Sequence, residues 1–72
     1  MGAFEKVERS VLTRAVVRHD LQPQVSDHPW SLCRWMDREG AYRGLSEYYL
    51  PLGAETVECH YWVDPTLLTG VE

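Results

Sequence analysis

The sequence predicts an α+β domain in which an N-terminal amphipathic helix packs on a three-stranded antiparallel sheet. Apolar residues recur at helical spacing over the first eighteen positions, and apolar and polar residues alternate in the segments after residue 29. Seven of the eight aromatic residues also lie in those later segments. The alternative is an all-β small barrel, because residues 8–18 are rich in β-branched side chains and could form a strand.

The helix is predicted over residues 3–18. One row of apolar residues steps by three, four and four positions and consists of Phe4, Val7, Val11 and Ala15. Leu12 and Val16 form a second row beside it. Basic residues gather at the C-terminal end, where the helix dipole favours positive charge. A strand of about fourteen residues would be unusually long in so small a domain, so the helix is favoured.

Residues 19–29 are predicted to form a loop, since they contain two prolines and few apolar side chains. Three strands are predicted beyond the loop, within residues 30–36, 41–52 and 56–63. The sequence Asp-Arg-Glu-Gly between the first two suits a hairpin turn. Two alternatives stay open, a capped helix over 29–38 and a helical turn over 43–50.

The last of these strands has the clearest alternation. Its core face is formed by Val57, Cys59, Tyr61 and Val63. Its polar face is formed by Glu58, His60, Trp62 and Asp64. Cys59 is therefore predicted to be a small buried hydrophobic residue, and His60 points away from it and cannot activate it as a nucleophile. Cys33 could lie opposite Cys59 on a neighbouring strand, where a disulfide is geometrically possible.

Size and composition exclude several classes of protein. A chain of 72 residues forms one domain and buries only about 60% of its unfolded surface, so the core is thin. The chain has two cysteines, and its first ten residues lack the pattern of a secretory signal, so we expect a reduced, cytoplasmic protein. No apolar run approaches the roughly 20 residues that span a bilayer, so we expect no membrane insertion.

Charge is distributed unevenly along the chain. Residues 1–43 contain all seven Lys and Arg residues and six acidic ones, whereas residues 44–72 contain five acidic residues and no Lys or Arg. Binding to phosphate backbones requires a basic surface, which an acidic chain of net charge −4 lacks. We therefore expect no nucleic-acid partner.

Metal binding is a weak alternative function. Glu58 and His60 share a strand face and could supply two ligands, and the remaining ligands would have to come from the 19–28 loop, through His19, Asp20, Asp27 or His28. His60 beside Glu58 and Asp64 could also carry a proton, which is the only indication of a small enzyme. The chain lacks spaced Cys or His pairs, a phosphate loop, a dinucleotide fingerprint and a nucleophile elbow, so we expect no cofactor and no catalysis.

The aromatic residues favour a protein-interaction function. The predicted core is too thin to bury them all, and aromatic and arginine side chains are enriched in protein interfaces. The candidate interface residues are Trp62, Tyr48, Tyr49, Trp35 and Arg34, with Arg43 as an alternative arginine. We therefore expect a non-enzymatic module that binds a protein partner or itself through an aromatic and acidic surface of its C-terminal half. A homo-oligomer would also compensate for the thin core.

Overall fold

A computed structural model describes residues 4–26 and 31–68. In chain order the elements are β1 (Glu5–Val7), α1 (Arg9–His19), β2 (Gln22–Ser26), β3 (Ser31–Met36), β4 (Tyr42–Tyr49), β5 (Glu58–Val63) and a short 3-10 helix (Pro65–Leu68). The predicted α+β class is confirmed. The all-β alternative is wrong, because residues 9–19 are helical.

The sheet has five strands rather than the predicted three. Their order is β1-β5-β4-β3-β2, and every neighbouring pair is antiparallel. The three predicted strands form the centre and correspond to β3, β4 and β5. The two that were not predicted are the edge strands, so α1 connects one edge of the sheet to the other.

The predicted loop over residues 19–29 is wrong where it covers β2. This strand reads Gln-Pro-Gln-Val-Ser and pairs with β3 along its whole length. Proline is tolerated there because an edge strand leaves one side of its backbone unpaired. Residues 27–29 of the predicted loop lie outside the described residues.

The helix is shorter than predicted and is preceded by β1. It begins after Glu8, whose side chain makes no capping hydrogen bond, and ends at Asp20, which adopts the left-handed conformation with φ 54°. The Leu21 N–H then donates to the Val16 carbonyl at 3.0 Å. Aspartate tolerates this conformation better than most residues, so it serves as the helix C-cap.

The core is small and lies where α1 packs against β5 and the 3-10 helix. Its buried apolar residues are Leu12, Ala15, Leu21, Val63 and Leu67. Gly44 on β4 lies directly beneath the helix, and a Cβ atom there would come within 2.9 Å of Leu12 Cδ1.

The sheet therefore has two unlike faces. The covered face lies under α1 and includes Val7, Cys33, Trp35, Gly44, Ser46, Tyr48, Cys59, Tyr61 and Val63. The open face is on the other side and includes Lys6, Leu32, Arg34, Leu45, Glu47, Tyr49, Glu58, His60 and Trp62.

The structure corrects the predicted burial of the last strand. Val63 is fully buried and Tyr61 half-buried, but Cys59 and Val57 on the same side are exposed. The helix contacts the Val63 end of β5, so the predicted core face is a core only over that half of the strand.

The two cysteines are free, and they do not lie on neighbouring strands. Cys33 pairs with Ser46 on β4, and Cys59 pairs with Tyr48 on the same strand. Because β4 separates the strands that carry them, their backbones are at least about two strand spacings, roughly 10 Å, apart. That separation is too long for a disulfide.

Candidate functional site on the open face

The open face combines apolar and charged side chains over the central strands. On β4 and β5 it contains the directly opposed pairs Leu45–Trp62, Glu47–His60 and Tyr49–Glu58. Strand alternation places these residues on the same side. Five of the six side chains are half-buried although no helix covers this face in the described part of the chain, and Glu58 is exposed.

Three hydrogen bonds and one longer His60–Glu47 contact join five of these residues into a network. The Trp62 indole N–H donates to Glu47 Oε1 at 3.0 Å, and His60 Nδ1 lies 3.6 Å from the same oxygen. His60 Nε2 lies 3.1 Å from Glu58 Oε1, to which the Tyr49 hydroxyl donates at 3.2 Å. The Tyr49 ring also meets the His60 ring edge-on, with centroids 5.3 Å apart. Each side chain is held by at least one neighbour, so the surface is ordered before any partner arrives.

The electrostatics of the network keep Tyr49 protonated. Its partial desolvation raises the pKa of the phenol, and the Glu58 carboxylate raises it further through its charge and its hydrogen bond. The Glu47 charge acts in the same direction. Tyr49 is therefore a neutral hydrogen-bond donor to Glu58 throughout the physiological pH range.

A pocket of about 260 Å³ opens beside the network. Phe4, Leu45, Glu47 and Trp62 line it. Its walls are aromatic and aliphatic, and its one charged group is a carboxylate. Both contacts of Glu47 use Oε1, whereas Oε2 accepts no hydrogen bond from the residues that the structure describes.

The structure divides the predicted interface residues between the two faces. Trp62, Tyr49 and Arg34 lie on the open face, where the Arg34 guanidinium is 5.6 Å from the centre of the Tyr42 ring. Trp35 and Tyr48 lie on the covered face instead. The predicted residues therefore do not form one surface.

The two residues on the covered face have local partners there. The Trp35 indole donates to Ser46 Oγ at 3.1 Å, and the Tyr48 ring packs edge-on against Tyr61. Arg43, the alternative arginine, forms ion pairs at the end of the sheet and is not on the open face.

The candidate metal ligands are also separated. Glu58 and His60 are in contact, but His19 lies at the end of α1, where Nε2 is 3.3 Å from the Leu67 carbonyl. Asp20 pairs with Arg38, while Asp27 and His28 lie outside the described residues. Across residues 4–26 and 31–68, no three His, Cys, Asp or Glu side chains are placed to hold a metal ion. Metal binding stays a prediction that rests on Glu58 and His60.

Sequence reasoning missed Phe4, Leu45 and Glu47. Leu45, Glu47 and Tyr49 share a parity on β4, so their common face could have been predicted from the alternation alone. Their register against Trp62 could not, because eight residues connect β4 to β5 and hide which positions are opposed.

Comparison with protein-family models, curated proteins and solved structures gave no match. None of the helices in the described residues has the length and apolar character to cross a membrane.

Proposed function

We propose that the protein is a non-enzymatic interaction module that self-associates through the open face of its sheet. The observation that carries this proposal is the half-buried Leu45–Trp62 pair, which lies on a sheet face without a second layer in the described residues. Domains usually bury each apolar sheet face against another layer, so such a face suits a partner.

The residue types on this face support the proposal. Trp62 and Tyr49 lie on either side of the Glu47–His60 pair, so aromatic rings and charged groups are mixed on this face. Aromatic side chains are enriched in protein interfaces. Lys6 and Arg34 lie on the neighbouring strands β1 and β3, opposite Trp62 and Leu45 respectively. Neither forms an ion pair with a described residue.

The thinness of the fold is a second support. Five apolar side chains are buried in the described part of the chain, and the radius of gyration is 12.7 Å, compared with about 11 Å for a compact chain of this length. A single layer of helix on a sheet leaves much apolar surface in water. Association would bury more of this apolar surface and so stabilise the fold.

Sedimentation velocity on paired alanine variants tests the proposal. Trp62→Ala and Tyr49→Ala should each raise the dissociation constant at least about tenfold, because a few aromatic residues carry most of the binding energy of an interface. Tyr48→Ala is the matched control, since Tyr48 is adjacent in sequence but lies on the covered face.

The control should associate like the wild type. Circular dichroism would first establish that all three variants are folded. Equal association of folded Trp62→Ala and wild-type protein would exclude the open face as the interface.

A further inference from the structure

We propose that an arginine on the outer surface of α1 enters the open-face pocket of a second copy of the chain, so that the copies associate head to tail. This inference rests on the self-association proposed above and specifies the surface of the second copy that occupies the pocket. Three observations support it: the residue types that line the pocket, the unpaired arginines on the helix, and the location of the pocket and the helix on opposite sides of the molecule.

The pocket has the residue types that bind a cationic side chain. Phe4 and Trp62 present aromatic rings, which attract a guanidinium over their faces. Glu47 adds a carboxylate whose Oε1 is fixed by the Trp62 indole, while its Oε2 has no described hydrogen-bond donor. Arginine suits such a site better than lysine, because its planar guanidinium can stack on a ring and donate hydrogen bonds to a carboxylate at the same time.

The outer surface of α1 supplies arginines without partners. Arg9, Arg14 and Arg18 are exposed, and none of them forms an ion pair with a described residue. Arg38 and Arg43, by contrast, are paired with aspartates. Three of the four arginines without a described ion pair therefore lie on one helix, and the fourth, Arg34, lies on β3 opposite Leu45.

An exposed apolar residue accompanies these cations. Val17 is 77% exposed, and Arg14 and Arg18 lie within one helical turn of it. A valine between two arginines complements a pocket whose walls are apolar and whose charged group is acidic. We infer that Arg14 or Arg18 is the residue that enters, with Val17 against the pocket rim.

The positions of the two surfaces determine the type of assembly. The helix lies over the covered face, and the pocket lies on the open face, so one molecule presents them in opposite directions. Contacts between unlike surfaces continue from copy to copy and form rings or open chains. Wild-type protein should therefore form a concentration-dependent series that extends beyond the dimer.

A mixing experiment with two variants tests the inference. The pocket variant is Glu47→Lys, and the helix variant is the double substitution Arg14→Glu, Arg18→Glu. Each variant retains only one of the two surfaces, so each alone should be monomeric in sedimentation velocity. An equimolar mixture should form a 1:1 heterodimer and nothing larger, because the intact helix of one variant fits the intact pocket of the other.

A second pocket variant protects the test against misfolding. Glu47→Gln keeps an oxygen that can accept the Trp62 indole hydrogen bond and removes only the charge. It should weaken association about tenfold, as expected when one partner of a charge-assisted contact is neutralised. Wild-type association should also weaken as salt is raised, because the contact is between opposite charges.

Two other results would overturn the inference, and they are distinguishable. If the helix variant associates as tightly as the wild type while the pocket variants do not, the open faces pair with each other. In that case the proposed function stands and the head-to-tail arrangement fails. If wild-type protein stays monomeric at about 100 µM, well above the dissociation constants of most specific complexes, the proposed self-association and this inference both fail.

Discussion

At the scale of single residues, Trp35 and Trp62 show how the same side chain can belong to a core or to a candidate interface. Both indoles donate a hydrogen bond, Trp35 to Ser46 Oγ at 3.1 Å and Trp62 to Glu47 Oε1 at 3.0 Å. Ser46 is buried under α1, whereas Glu47 lies on the open face. The hydrogen bond of Trp62 therefore orders an aromatic ring that the described fold leaves uncovered.

The two cysteines should differ in their reactivity toward thiol reagents. Cys59 is exposed, while Cys33 is half-buried and its burial raises the pKa of its thiol, which lowers the thiolate fraction at neutral pH. Labelling of native protein with iodoacetamide, followed by peptide mass spectrometry, should modify Cys59 first. Equal rates at the two sites, or faster labelling of Cys33, would contradict the assigned burial.

The alternation of β5 could be predicted from the sequence, but the extent of its burial could not. The period of two places Trp62 opposite the core and separates His60 from Cys59, and the structure confirms both. Whether Cys59 is buried depends on where α1 ends over the sheet. That position is set by tertiary packing around Val63, which a local pattern does not contain.

At the scale of the elements, Gly44 determines how closely α1 can approach the sheet. A Cβ at this position would be 2.9 Å from Leu12 Cδ1, 3.3 Å from the Trp62 carbonyl oxygen and 3.4 Å from Trp35 Cβ. Leu12 is a core residue and cannot move freely. The missing side chain at position 44 thus permits the close contact between helix and sheet.

We expect Gly44→Ala to lower the free energy of unfolding by about 1–3 kcal/mol, the usual cost of overpacking a core. Urea denaturation followed by circular dichroism would measure this change. Leu12→Val removes the Cδ1 atom that clashes, so the double variant should lose less stability than the sum of the two single losses. If the stability losses of the two single variants add up in the double variant, Leu12 does not limit how closely the helix approaches the sheet.

An ion-pair cluster connects the β3–β4 turn to the 3-10 helix. The Arg43 guanidinium lies 2.9 Å from both Asp37 Oδ2 and Asp64 Oδ2. The hydrogen bond from the Ala41 N–H, followed in size by the one from Arg43, holds the pKa of Asp37 below its ordinary value. Burial works against ionisation of Asp64, but hydrogen bonds from Thr66 and Arg43 outweigh it and lower its pKa as well.

These lowered pKa values predict loss of stability in acid. Their contribution is fully present above the unfolded-state value, about 3.9 for aspartate, and is lost as the pH falls through the lower folded-state values. Urea midpoints measured from pH 5 to pH 2 should decline, and Arg43→Gln should make the decline shallower. Arg38→Gln is the control, because the Arg38–Asp20 pair is exposed and contributes little. An unchanged pH profile for Arg43→Gln would contradict the assignment.

The central strands and the helix could be predicted from periodicity, but the edge strands could not. β1 has three residues, too few for a pattern, and the sequence of β2 contains Pro23 and polar residues typical of loops. Both become strands because the exposed edges of the central meander offer hydrogen-bonding partners. Such pairing is non-local, so it leaves no signal in the segment itself.

At the scale of the whole molecule, the described residues form a sheet with a helix on one side and no second layer on the other. The dimensions of the molecule are 41 × 23 × 22 Å, and its buried apolar core comprises five residues in the described part of the chain. Such a fold is marginal alone and gains stability from any association that buries the open face. The sequence indicates the thin core and the excess of aromatic residues, but only the fold shows that Trp62 and Tyr49 share a face while Trp35 and Tyr48 do not.

The most direct test of the open face as the association surface is an NMR dilution series that follows the tryptophan indole N–H signals. The Trp62 indole donates to Glu47 on the open face, so its signal should shift as the protein is diluted and the copies separate. The Trp35 indole donates to Ser46 on the covered face and is the internal control, so its signal should shift much less than that of Trp62. A Trp62 signal that is independent of concentration, while association is observed in the same samples, would contradict the account.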